Sequence, residues 1–446
     1  MESNESTLEE RVKGSQLEAE RCLQCYDAPC SQNCPAGIDV KLFIRFLKNG
    51  EFFSAANAIE RENPFGLICG YICPSQTTCQ KFCTSSKIGK PIDIKALQVG
   101  AINISRDLYE KSRIKELPAK IRILNNGSIE EKRITKKING KVAVIGGGPA
   151  GITTAYYLDL FGVETHLFER SNDLGGRLLN GIPDFRINHE LVSKELSEIT
   201  SNINLHYGEK FGEDLTIDDL KSTGFDAICI AVGKWNPKDI QIPGIDSDGV
   251  YYADDILCNE EWKENNHKKA IVIGAGNSAM DVSRLLKRNG LDSVQIFYRA
   301  SNLRVKALQE EREEAYQEDI PLNTYSIPKE IITRTGHVVG VRFSRSEIEN
   351  GNLIEMDEEF DFICEADMVV ISLGYDGHAN NLKTQGLQLN NNGEIIIGEF
   401  NETNINGVFA AGDITGGTSV VEGVGSGKKT AYAIYEYLRE KRENRK

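Results

Sequence analysis

The spacing of hydrophobic residues changes after about residue 118, and this change divides the chain into a helical part and an α/β part. Apolar residues within 42–59 recur near helical spacing, which predicts packed helices. The sequence Asn-Pro-Phe-Gly at 63–66 interrupts this pattern, because Pro and Gly disfavour a continuous helix. Residues 119–139 are basic and polar, and they predict a connector that runs over the surface.

From residue 140 onward, strand and helix patterns alternate. An apolar run, a glycine turn, a helix pattern and a second apolar run occupy 141–170, and the same order returns in 268–299. Three further apolar strand patterns end near glycines: 227–231, 368–372 and 408–411. A last helix is predicted over about 427–440. Such alternation is typical of doubly wound α/β domains built on a parallel sheet.

The chain of 446 residues carries a formal net charge of −14, from 52 Lys and Arg against 66 Asp and Glu. Nucleic acid and anionic membrane surfaces would repel this charge, so neither is expected as a partner. No run approaches the roughly 20 apolar residues that a membrane span needs. The first 14 residues are polar and acidic without a targeting pattern, and we expect a cytoplasmic protein.

The first glycine turn has the spacing Gly146-x-Gly148-x-x-Gly151, between a strand pattern and a helix pattern. In such a unit the first glycine forms the tight turn, the second lets the backbone approach a diphosphate, and the third lets the helix pack on the sheet. The helix N-terminus favours the anion through its free N–H groups and its dipole. Glu169 ends the second strand pattern, where a carboxylate can accept hydrogen bonds from ribose hydroxyls. These residues predict a dinucleotide site.

The second glycine turn has the spacing Gly274-x-Gly276-x-x-Ala279, with the same patterns around it. Its second strand pattern ends in Arg299, and no acid occupies that place. An arginine there can bind the 2′-phosphate of NADPH, so NADPH is favoured over NADH, and Lys306 is a candidate second contact. The alternative is that both residues are ordinary surface cations.

Two glycine turns predict two dinucleotides, one a flavin and one a nicotinamide. Gly412 and Asp413 follow a late strand pattern and precede a helix pattern, where an acid can bind the ribityl and diphosphate region of FAD. We therefore predict two Rossmann-like domains, with the NAD(P)H-binding domain inserted into a split FAD-binding domain. The predicted domains are a helical domain at 1–118, a connector at 119–139, the FAD-binding domain at 140–262 and 376–446, and the NAD(P)H-binding domain at 263–375.

Eight of the eleven cysteines lie between Cys22 and Cys83. They form two groups, Cys22-x2-Cys25-x4-Cys30-x3-Cys34 and Cys69-x3-Cys73 with Cys79-x3-Cys83. In a reducing cytosol such crowding indicates metal binding rather than disulfides. Eight thiolates match two [4Fe–4S] clusters, and Cys-Pro pairs recur in ferredoxin-type runs. Structural zinc also takes four thiolates and is the alternative, and spacing alone does not decide which four residues share a site.

The other three cysteines, Cys229, Cys258 and Cys364, are isolated in the sequence. Disulfide reductases of this architecture need a redox-active cysteine pair beside the flavin, and these three do not supply one. We expect them to be buried small apolar side chains. Electrons on the flavin would then leave through the clusters, which a zinc site does not allow.

Four stretches of the helical part, followed by the two glycine turns, resemble a known family. The stretches are ERCLQCYDAPCSQNCPAGIDVKLFI, NPFGLICGYICP, CQKFC and KPIDIKALQ. They resemble the amino-terminal half of dihydropyrimidine dehydrogenase and the separate PreT-type subunit of the bacterial enzyme, within the broader glutamate synthase small-subunit family. The resemblance extends over nearly the whole chain, and the Asp-Ala-Pro-Cys element at 27–30 is a fairly specific part of it.

The resemblance implies ligands for two clusters. One cluster would be bound by Cys22, Cys25, Cys30 and Cys83, and the other by Cys34, Cys73, Cys79 and the side-chain amide of Gln98. Cys69 would then not be a ligand. Whether Gln98 or Cys69 completes the second cluster stays open, because Gln98 is also compatible with an ordinary helical position. The loop that contains Gly176 and Arg177 resembles the flavin-contacting segments of the family.

The same resemblance implies the reaction. NAD(P)H would reduce FAD, and single electrons would pass through the clusters to a catalytic partner subunit in a hetero-oligomer. That partner would be an FMN-containing barrel that reduces uracil or thymine, and no residue of this chain is assigned as a catalytic acid or base. Two other hypotheses remain: a module that feeds glutamate synthase, a ferredoxin or another reductase, and a zinc-stabilised nucleotide-binding protein without turnover.

Overall fold

The computed structural model of the chain describes residues 7–109, 115–349, 352–377 and 379–444. Parts of the polar start (1–6), of the predicted helical domain (110–114) and of the charged tail (445–446) lie outside the described residues. The chain forms two compact units. Unit 1 consists of Met1–Leu178, Phe185–Lys234 and Gly377–Lys446, and unit 2 of Leu179–Asp184 and Trp235–Asp376.

Helices form the first part of unit 1. They are α1 (Leu8–Glu20), α2 (Pro29–Gln32), α3 (Val40–Lys48), α4 (Phe52–Glu60), α5 (Gly66–Ile72) and α6 (Ile94–Tyr109). In α3, Asp39 caps the helix by accepting a hydrogen bond from the Leu42 N–H at 3.1 Å, and Phe43 and Leu47 are fully buried on one face. Pro64 lies in the break between α4 and α5, as the sequence predicts.

Residues 120–133 form a β-hairpin rather than the surface connector that their polar composition predicts. β1 (Lys120–Asn125) pairs with β2 (Ser128–Arg133) in antiparallel orientation. Ile121 and Ile123 are fully buried, because side chains two residues apart point to the same face of a strand. The prediction was wrong because the alternation of apolar and polar residues in β1 is short and lies among charged residues.

The first α/β segment contains four strands and four helices. They are β3 (Lys141–Ile145), α7 (Pro149–Leu160), β4 (Glu164–Glu169), α8 (Arg177–Asn180), α9 (His189–Thr200), β5 (Asn204–Tyr207), α10 (Ile217–Ser222) and β6 (Ala227–Ile230). The residues of β6 are all buried, as are those of β3 after its first residue, as expected for central strands covered on both faces.

Unit 2 contains a parallel and an antiparallel sheet. Its strands and helices are β7 (Asn236–Pro237), β8 (Val250–Tyr252), α11 (Ala253–Leu257), β9 (Lys269–Ile273), α12 (Asn277–Arg288), β10 (Ser293–Phe297), α13 (Gln309–Gln317), β11 (Leu322–Asn323), β12 (Ser326–Arg334), β13 (His337–Glu349), β14 (Asn352–Glu355), β15 (Phe362–Glu365), β16 (Met368–Ile371) and β17 (Tyr375–Asp376). The parallel sheet has the order β11-β10-β9-β16-β8, and β12, β13, β14 and β15 form the antiparallel sheet. The unit begins ahead of the boundary expected at residue 263, because β8 pairs with β16 in its parallel sheet.

The chain returns to unit 1 with α14 (Ala379–Thr384), β18 (Val408–Ala410) and α15 (Val420–Glu443). These elements complete a five-stranded parallel sheet with the order β18-β6-β3-β4-β5. α15 is longer than the predicted 427–440, because the hydroxyl of Ser419 caps it by accepting the Glu422 N–H at 3.4 Å. No helix among the described residues is long and apolar enough to cross a membrane.

An ion-pair network joins the helical part of unit 1 to its α/β part. Arg106 of α6 contacts Glu60 of α4 at 3.0 Å and Glu195 of α9 at 2.5 Å. Both carboxylates are buried, and the pairing offsets the cost of removing them from water. The network therefore fixes the helices of the cysteine-containing part beside the sheet.

A stacked histidine pair on neighbouring strands predicts pH-dependent stability. Nδ1 of His166 in β4 and Nε2 of His206 in β5 lie 2.9 Å apart. Burial, followed by the positive charge of His166, lowers the pKa of His206 below its ordinary value of 6.5. The unfolded chain therefore binds a proton at a pH at which the folded chain does not. Stability is fully present above about pH 6.5 and is lost as the pH falls from this value toward the lower pKa of His206 in the folded chain.

When the pH is lowered from about 8 to about 5.5, we expect the thermal unfolding midpoint to fall further for the wild type than for His206→Phe. Phenylalanine does not titrate and can keep the stacking on Phe168. His337→Gln, at an exposed site in unit 2, is the control for loss of a histidine outside this pair, and its profile should differ less from that of the wild type than the profile of His206→Phe does. Parallel profiles of wild type and His206→Phe would contradict the role assigned to His206.

Candidate functional site

The first glycine turn joins β3 to α7. Gly146 adopts a φ of +109°, and a Cβ atom there would lie 2.3 Å from the Ala231 carbonyl oxygen. A Cβ atom at Gly151 would lie 1.9 Å from the Gly146 carbonyl oxygen. Both positions therefore require glycine, the first for its backbone angle and the second for the close packing of α7 on the turn.

Gly148 differs from these two glycines, because a Cβ atom there would meet nothing within 4 Å. It is the N-cap of the 12-residue helix α7, and no side chain accepts a hydrogen bond from the first N–H groups of this helix as a cap. The helix dipole adds positive potential at the same point. This open cradle fits a diphosphate, whose oxygens would accept hydrogen bonds from these N–H groups.

Glu169 lies at the end of β4 beside this turn and is buried. Its carboxylate accepts hydrogen bonds from the Gly147 N–H at 2.6 Å and from a backbone N–H two residues later at 2.9 Å. The Gly175 N–H donates to the Gly147 carbonyl oxygen at 2.7 Å. This bond places the loop that contains Gly176 and Arg177 against the same turn.

Asp413 follows β18 and lies in the field of two cations. Burial raises the pKa of its carboxyl group from 3.8 to about 6, and the positive charges of Lys234 and Arg177 oppose this rise. Lys234 also pairs with Glu394 at 2.5 Å. The adjacent Gly412 has a φ of +80°, and its N–H donates to a hydroxyl group of α15 at 3.1 Å. Sequence reasoning missed Lys234, because its ion-pair partner lies 160 residues away.

The second glycine turn, in unit 2, repeats the geometry of the first. Gly274 has a φ of +136°, and a Cβ atom there would lie 2.1 Å from a backbone carbonyl oxygen. Gly276 is the N-cap of α12 without a side-chain cap, and a Cβ atom there would again meet nothing within 4 Å. Ala279 is fully buried in the first turn of α12. The Lys306 N–H donates to the carbonyl oxygen between the two glycines at 3.2 Å, so Lys306 lies beside this cradle.

The register of the strands places Tyr298, not Arg299, at the position equivalent to Glu169. In both units the first glycine of the turn donates its N–H to the neighbouring strand, to the carbonyl oxygen of Phe168 in unit 1 (2.8 Å) and of Phe297 in unit 2 (2.9 Å). β10 ends at Phe297, and the exposed Arg299 follows two residues later. The expectation that this strand ends in Arg299 was therefore wrong, because Tyr298 and Arg299 follow the last residue of β10.

Four cysteines of the helical part line one pocket. They are Cys22, Cys25, Cys30 and Cys83. Burial raises the pKa of the Cys30 thiol to about 12, and the negative charge of Cys22 adds to the rise. A negative charge on one of these thiols disfavours the ionisation of its neighbours. A cationic metal group would offset this repulsion, because it binds the thiols as thiolates.

The other four clustered cysteines form a second, more buried group. Cys34, Cys69 and Cys79 are buried, and burial, followed by the negative charges of these three, raises the pKa of Cys73 well above its ordinary value. Gln98 of α6 is 7% exposed, and its Nε2 donates to the carbonyl oxygen of the first residue of α5 at 2.5 Å. Since Cys69 is in α5, both candidates for the last ligand lie at the same helix pair.

The eight clustered cysteines thus form two groups of four. The pocket contains the cysteines of one ligand set that the resemblance implies, and the second group contains the three cysteines of the other set together with Cys69. Within the part of the chain that the structure describes, no three Cys, His, Asp or Glu side chains are arranged to hold a single metal ion.

The three isolated cysteines differ in exposure. Cys229 is fully buried, and burial raises the pKa of its thiol to about 12, as expected for a small apolar side chain. Cys258 is exposed and Cys364 is half-buried, so the expectation that all three are buried was wrong. Cys258 follows the last residue of the short helix α11, and Cys364 is in β15, which pairs with β13. Both positions leave the side chain accessible to solvent.

Family models match the chain over two segments. Residues 2–108 match the model described as dihydropyrimidine dehydrogenase domain II, 4Fe-4S cluster, and residues 140–433 match the model described as pyridine nucleotide-disulphide oxidoreductase. The chain belongs to the pyridine nucleotide-disulphide oxidoreductase family. The family match includes both glycine turns and Asp413, and the 4Fe-4S match includes all eight clustered cysteines and Gln98.

Curated relatives match the chain over nearly its whole length. The NAD-dependent dihydropyrimidine dehydrogenase subunit PreT homolog of Salmonella typhi is 31% identical over 95% of this chain and 94% of its own. The glutamate synthase [NADPH] small chain of Escherichia coli strain K12 is 27% identical over 95% of this chain and 91% of its own. The structure of Mycobacterium tuberculosis FprA in complex with NADPH has a TM-score of 0.59 at 18% identity, over 69% of this chain and 86% of its own, which shows a shared fold.

These matches confirm the predicted fold class and the predicted enzyme class. The chain is an NAD(P)H-dependent oxidoreductase of this family, with FAD and [4Fe–4S] as its cofactors. The two open glycine cradles and the two thiol groups fit these cofactors.

Proposed function

We propose that the chain is the electron-input subunit of a dihydropyrimidine dehydrogenase. It would take electrons from NAD(P)H through FAD and two [4Fe–4S] clusters to a partner subunit that reduces uracil or thymine. The observation that carries the proposal is the combination, in one chain, of two open glycine cradles and two groups of four cysteines. Relatives that match almost the full chain bear the name of such a subunit.

FAD is assigned to the first cradle, in unit 1. The residues that would hold it are Gly146, Gly148, Gly151, Glu169, Gly176, Arg177, Gly412 and Asp413. The Gly148 N–H and the N–H groups of α7 that follow Pro149 would bind the diphosphate, and Glu169 would accept hydrogen bonds from ribose hydroxyls. Asp413, in the field of Lys234 and Arg177, would accept hydrogen bonds from the ribityl chain.

NAD(P)H is assigned to the second cradle, in unit 2. The residues that would hold it are Gly274, Gly276, Ala279, Arg299 and Lys306. No carboxylate occupies the place equivalent to Glu169, where Tyr298 lies, so a 2′-phosphate would meet no repulsion from that side chain. Exposed Arg299 and Lys306 would attract this phosphate, and we propose a preference for NADPH.

The clusters are assigned to the two cysteine groups. The outer cluster would be held by Cys22, Cys25, Cys30 and Cys83, and the inner cluster by Cys34, Cys73, Cys79 and Gln98. When bound, FAD accepts a hydride as an electron pair and the clusters carry single electrons, so the cofactors supply the redox chemistry. The chain positions them and sets their environment: burial raises the pKa of the Cys34 thiol, and the backbone N–H groups of 36–38 oppose this rise.

The partner subunit would bind where the outer cysteine group reaches the surface. Leu23 lines the pocket of this group and is 48% exposed, and Tyr26 and Ile88 are exposed by 101% and 78%. Exposed apolar side chains of this size at a redox site suit a protein interface. We propose an FMN-containing barrel as the partner, in a hetero-oligomer, and a cytoplasmic location in which the cysteines form no disulfides.

The test is a titration of anaerobically purified protein with NADPH and, separately, NADH, followed by absorbance after metal and flavin analysis. We expect about eight irons and one FAD per chain, and bleaching of both chromophores at a lower concentration of NADPH than of NADH. Addition of the FMN-containing partner with uracil should then restore the oxidised spectrum. Zinc in place of iron, or a flavin that neither nucleotide reduces, would reject the proposal.

Supply of electrons to a glutamate synthase is the second candidate function, favoured by the 27% identity to a glutamate synthase small chain over 95% of this chain. The same reduced protein discriminates the two. Reoxidation by a large amidotransferase subunit with glutamine and 2-oxoglutarate, but not by an FMN-containing barrel with uracil, would support the second function and reject the first.

A further inference from the structure

Lys428 of α15 is fully buried in unit 1 and contacts the segment that follows Cys34. Its Nζ donates to the Ala36 carbonyl oxygen at 2.5 Å, to the Glu62 carbonyl oxygen at 2.8 Å and to the Glu62 carboxylate at 3.0 Å. Three acceptors surround one nitrogen, and only the ammonium form has three N–H donors. Burial lowers the pKa of Lys428, the negative charge of Glu62 opposes this, and the hydrogen-bond pattern favours the positively charged form.

The same turn of α15 packs by backbone contact on the Cys34 segment. A Cβ atom at Gly425 would lie 2.3 Å from the Pro35 carbonyl oxygen. A Cβ atom at Gly37 would lie 3.1 Å from the Lys428 Nζ and 2.5 Å from a backbone oxygen of β1. These close approaches and the hydrogen bonds of its Nζ hold the ammonium group against the Cys34 segment.

The opposite face of this turn contacts the FAD cradle. A Cβ atom at Gly427 would lie 2.3 Å from the Ala150 carbonyl oxygen in the first turn of α7. A hydroxyl group from the same turn of α15 accepts the Gly412 N–H at 3.1 Å. Residues 423–428 of α15 therefore lie between the first dinucleotide cradle and the inner cysteine group, all within unit 1.

Lys428 and Glu62 form a buried ion pair whose positive end lies at the Cys34 segment. Glu62 is the counter-ion of Lys428, Arg122 repels the ammonium group, and the Tyr157 ring centroid lies 5.8 Å from its Nζ. The Nζ donates to the carbonyl oxygen of the second residue after Cys34, whereas the Glu62 carboxylate also accepts the backbone N–H of Arg122 at 3.0 Å. The positive charge therefore lies against the inner group, and the negative charge of Glu62 offsets part of it.

We propose that Lys428 is a positioning residue whose fixed positive charge raises the reduction potential of the inner cluster and favours electron transfer into it from the flavin side. This rests on the proposed function, since it concerns the cluster assigned to Cys34. Reduction adds one negative charge to a cluster, and a buried positive charge nearby stabilises the reduced state. Glu62 partly offsets the effect, so the two residues should act with opposite signs.

The experiment is a redox titration of the iron-loaded holoprotein, followed by electron paramagnetic resonance, which resolves the two clusters. We expect Lys428→Met to shift the potential of one cluster to a lower value and to leave the other cluster unchanged. We expect Glu62→Gln to shift the same cluster to a higher value, because glutamine keeps an acceptor for Lys428 but removes the negative charge.

Lys429→Met is the matched control, because it removes a charge from the neighbouring residue of α15, whose Nζ donates to Asn125 at 2.8 Å. It should leave both potentials at the wild-type value. If Lys428→Met does not fold, the comparison of the cluster potentials of Glu62→Gln and Lys429→Met still tests the proposal. Unchanged potentials in Glu62→Gln, or a shift of both clusters together, would overturn the proposal, whereas failure of iron incorporation in the wild type would reject the proposed function itself.

Discussion

Replacement of Gly148 by alanine is expected to weaken FAD binding about a hundredfold, or by about 2.7 kcal/mol, in a chain that still folds. A Cβ atom at this position meets nothing within 4 Å, and the φ of −82° is accessible to any residue. The new methyl group would occupy the space through which the diphosphate approaches the first N–H groups of α7. Flavin fluorescence during titration of the apoprotein measures the dissociation constant, and circular dichroism verifies the fold.

Gly276→Ala is the matched control, because Gly276 has the same backbone conformation and the same open surroundings at the N-terminus of α12. This variant should keep its FAD and iron and lose reduction by NADPH. Gly148→Ala and Gly276→Ala thus separate the two dinucleotide assignments. An equal loss of FAD in both variants, or wild-type FAD affinity in Gly148→Ala, would contradict the assignment of the first cradle.

Replacement of Gln98 by alanine is expected to remove one of the two clusters, so that iron falls from about eight to about four atoms per chain. Gln98 is buried at the contact of α5 and α6, and its Nε2 is bound to a carbonyl oxygen, which leaves the Oε1 atom as the ligand. Iron analysis of anaerobically purified variants measures the effect directly.

Cys69→Ala is the companion variant that decides the last ligand. Cys69 is 2% exposed, and burial, together with the negative charge of Cys34, raises the pKa of its thiol. Cys69 is therefore the alternative ligand at this site. We expect Cys69→Ala to keep about eight irons. The reverse result, with full iron in Gln98→Ala and half in Cys69→Ala, would reassign the ligand to Cys69.

Local patterns predicted those features of the fold that depend on neighbouring residues. The glycine turns could be predicted because steric limits at Gly146 and Gly274 act within one strand–turn–helix unit. The break at Pro64 and the crowding of cysteines are likewise local. The clustering of Cys22, Cys25 and Cys30 with the distant Cys83 came from the resemblance, since spacing alone leaves the pairing open.

Features that depend on contacts between distant residues could not be predicted. The Lys234–Glu394 ion pair spans 160 residues, and the Lys428–Glu62 pair spans 366. The start of unit 2 was misplaced for the same reason, because β8 joins its sheet by pairing with β16, which comes more than a hundred residues later. Exposure of Cys258 was missed because a helix end at the surface has no distinct hydrophobic pattern.

The bond between Lys428 and the Ala36 carbonyl oxygen has a consequence for the order in which the protein matures. These residues lie 392 positions apart, so the ribosome completes the Cys34 segment long before α15 emerges. Domains form during synthesis as their chain becomes available, and the inner cysteine group lacks one of its walls until α15 is present. We therefore expect the proposed inner cluster to be loaded after translation of α15, whereas the residues that line the pocket of the outer cysteine group end at Ile94.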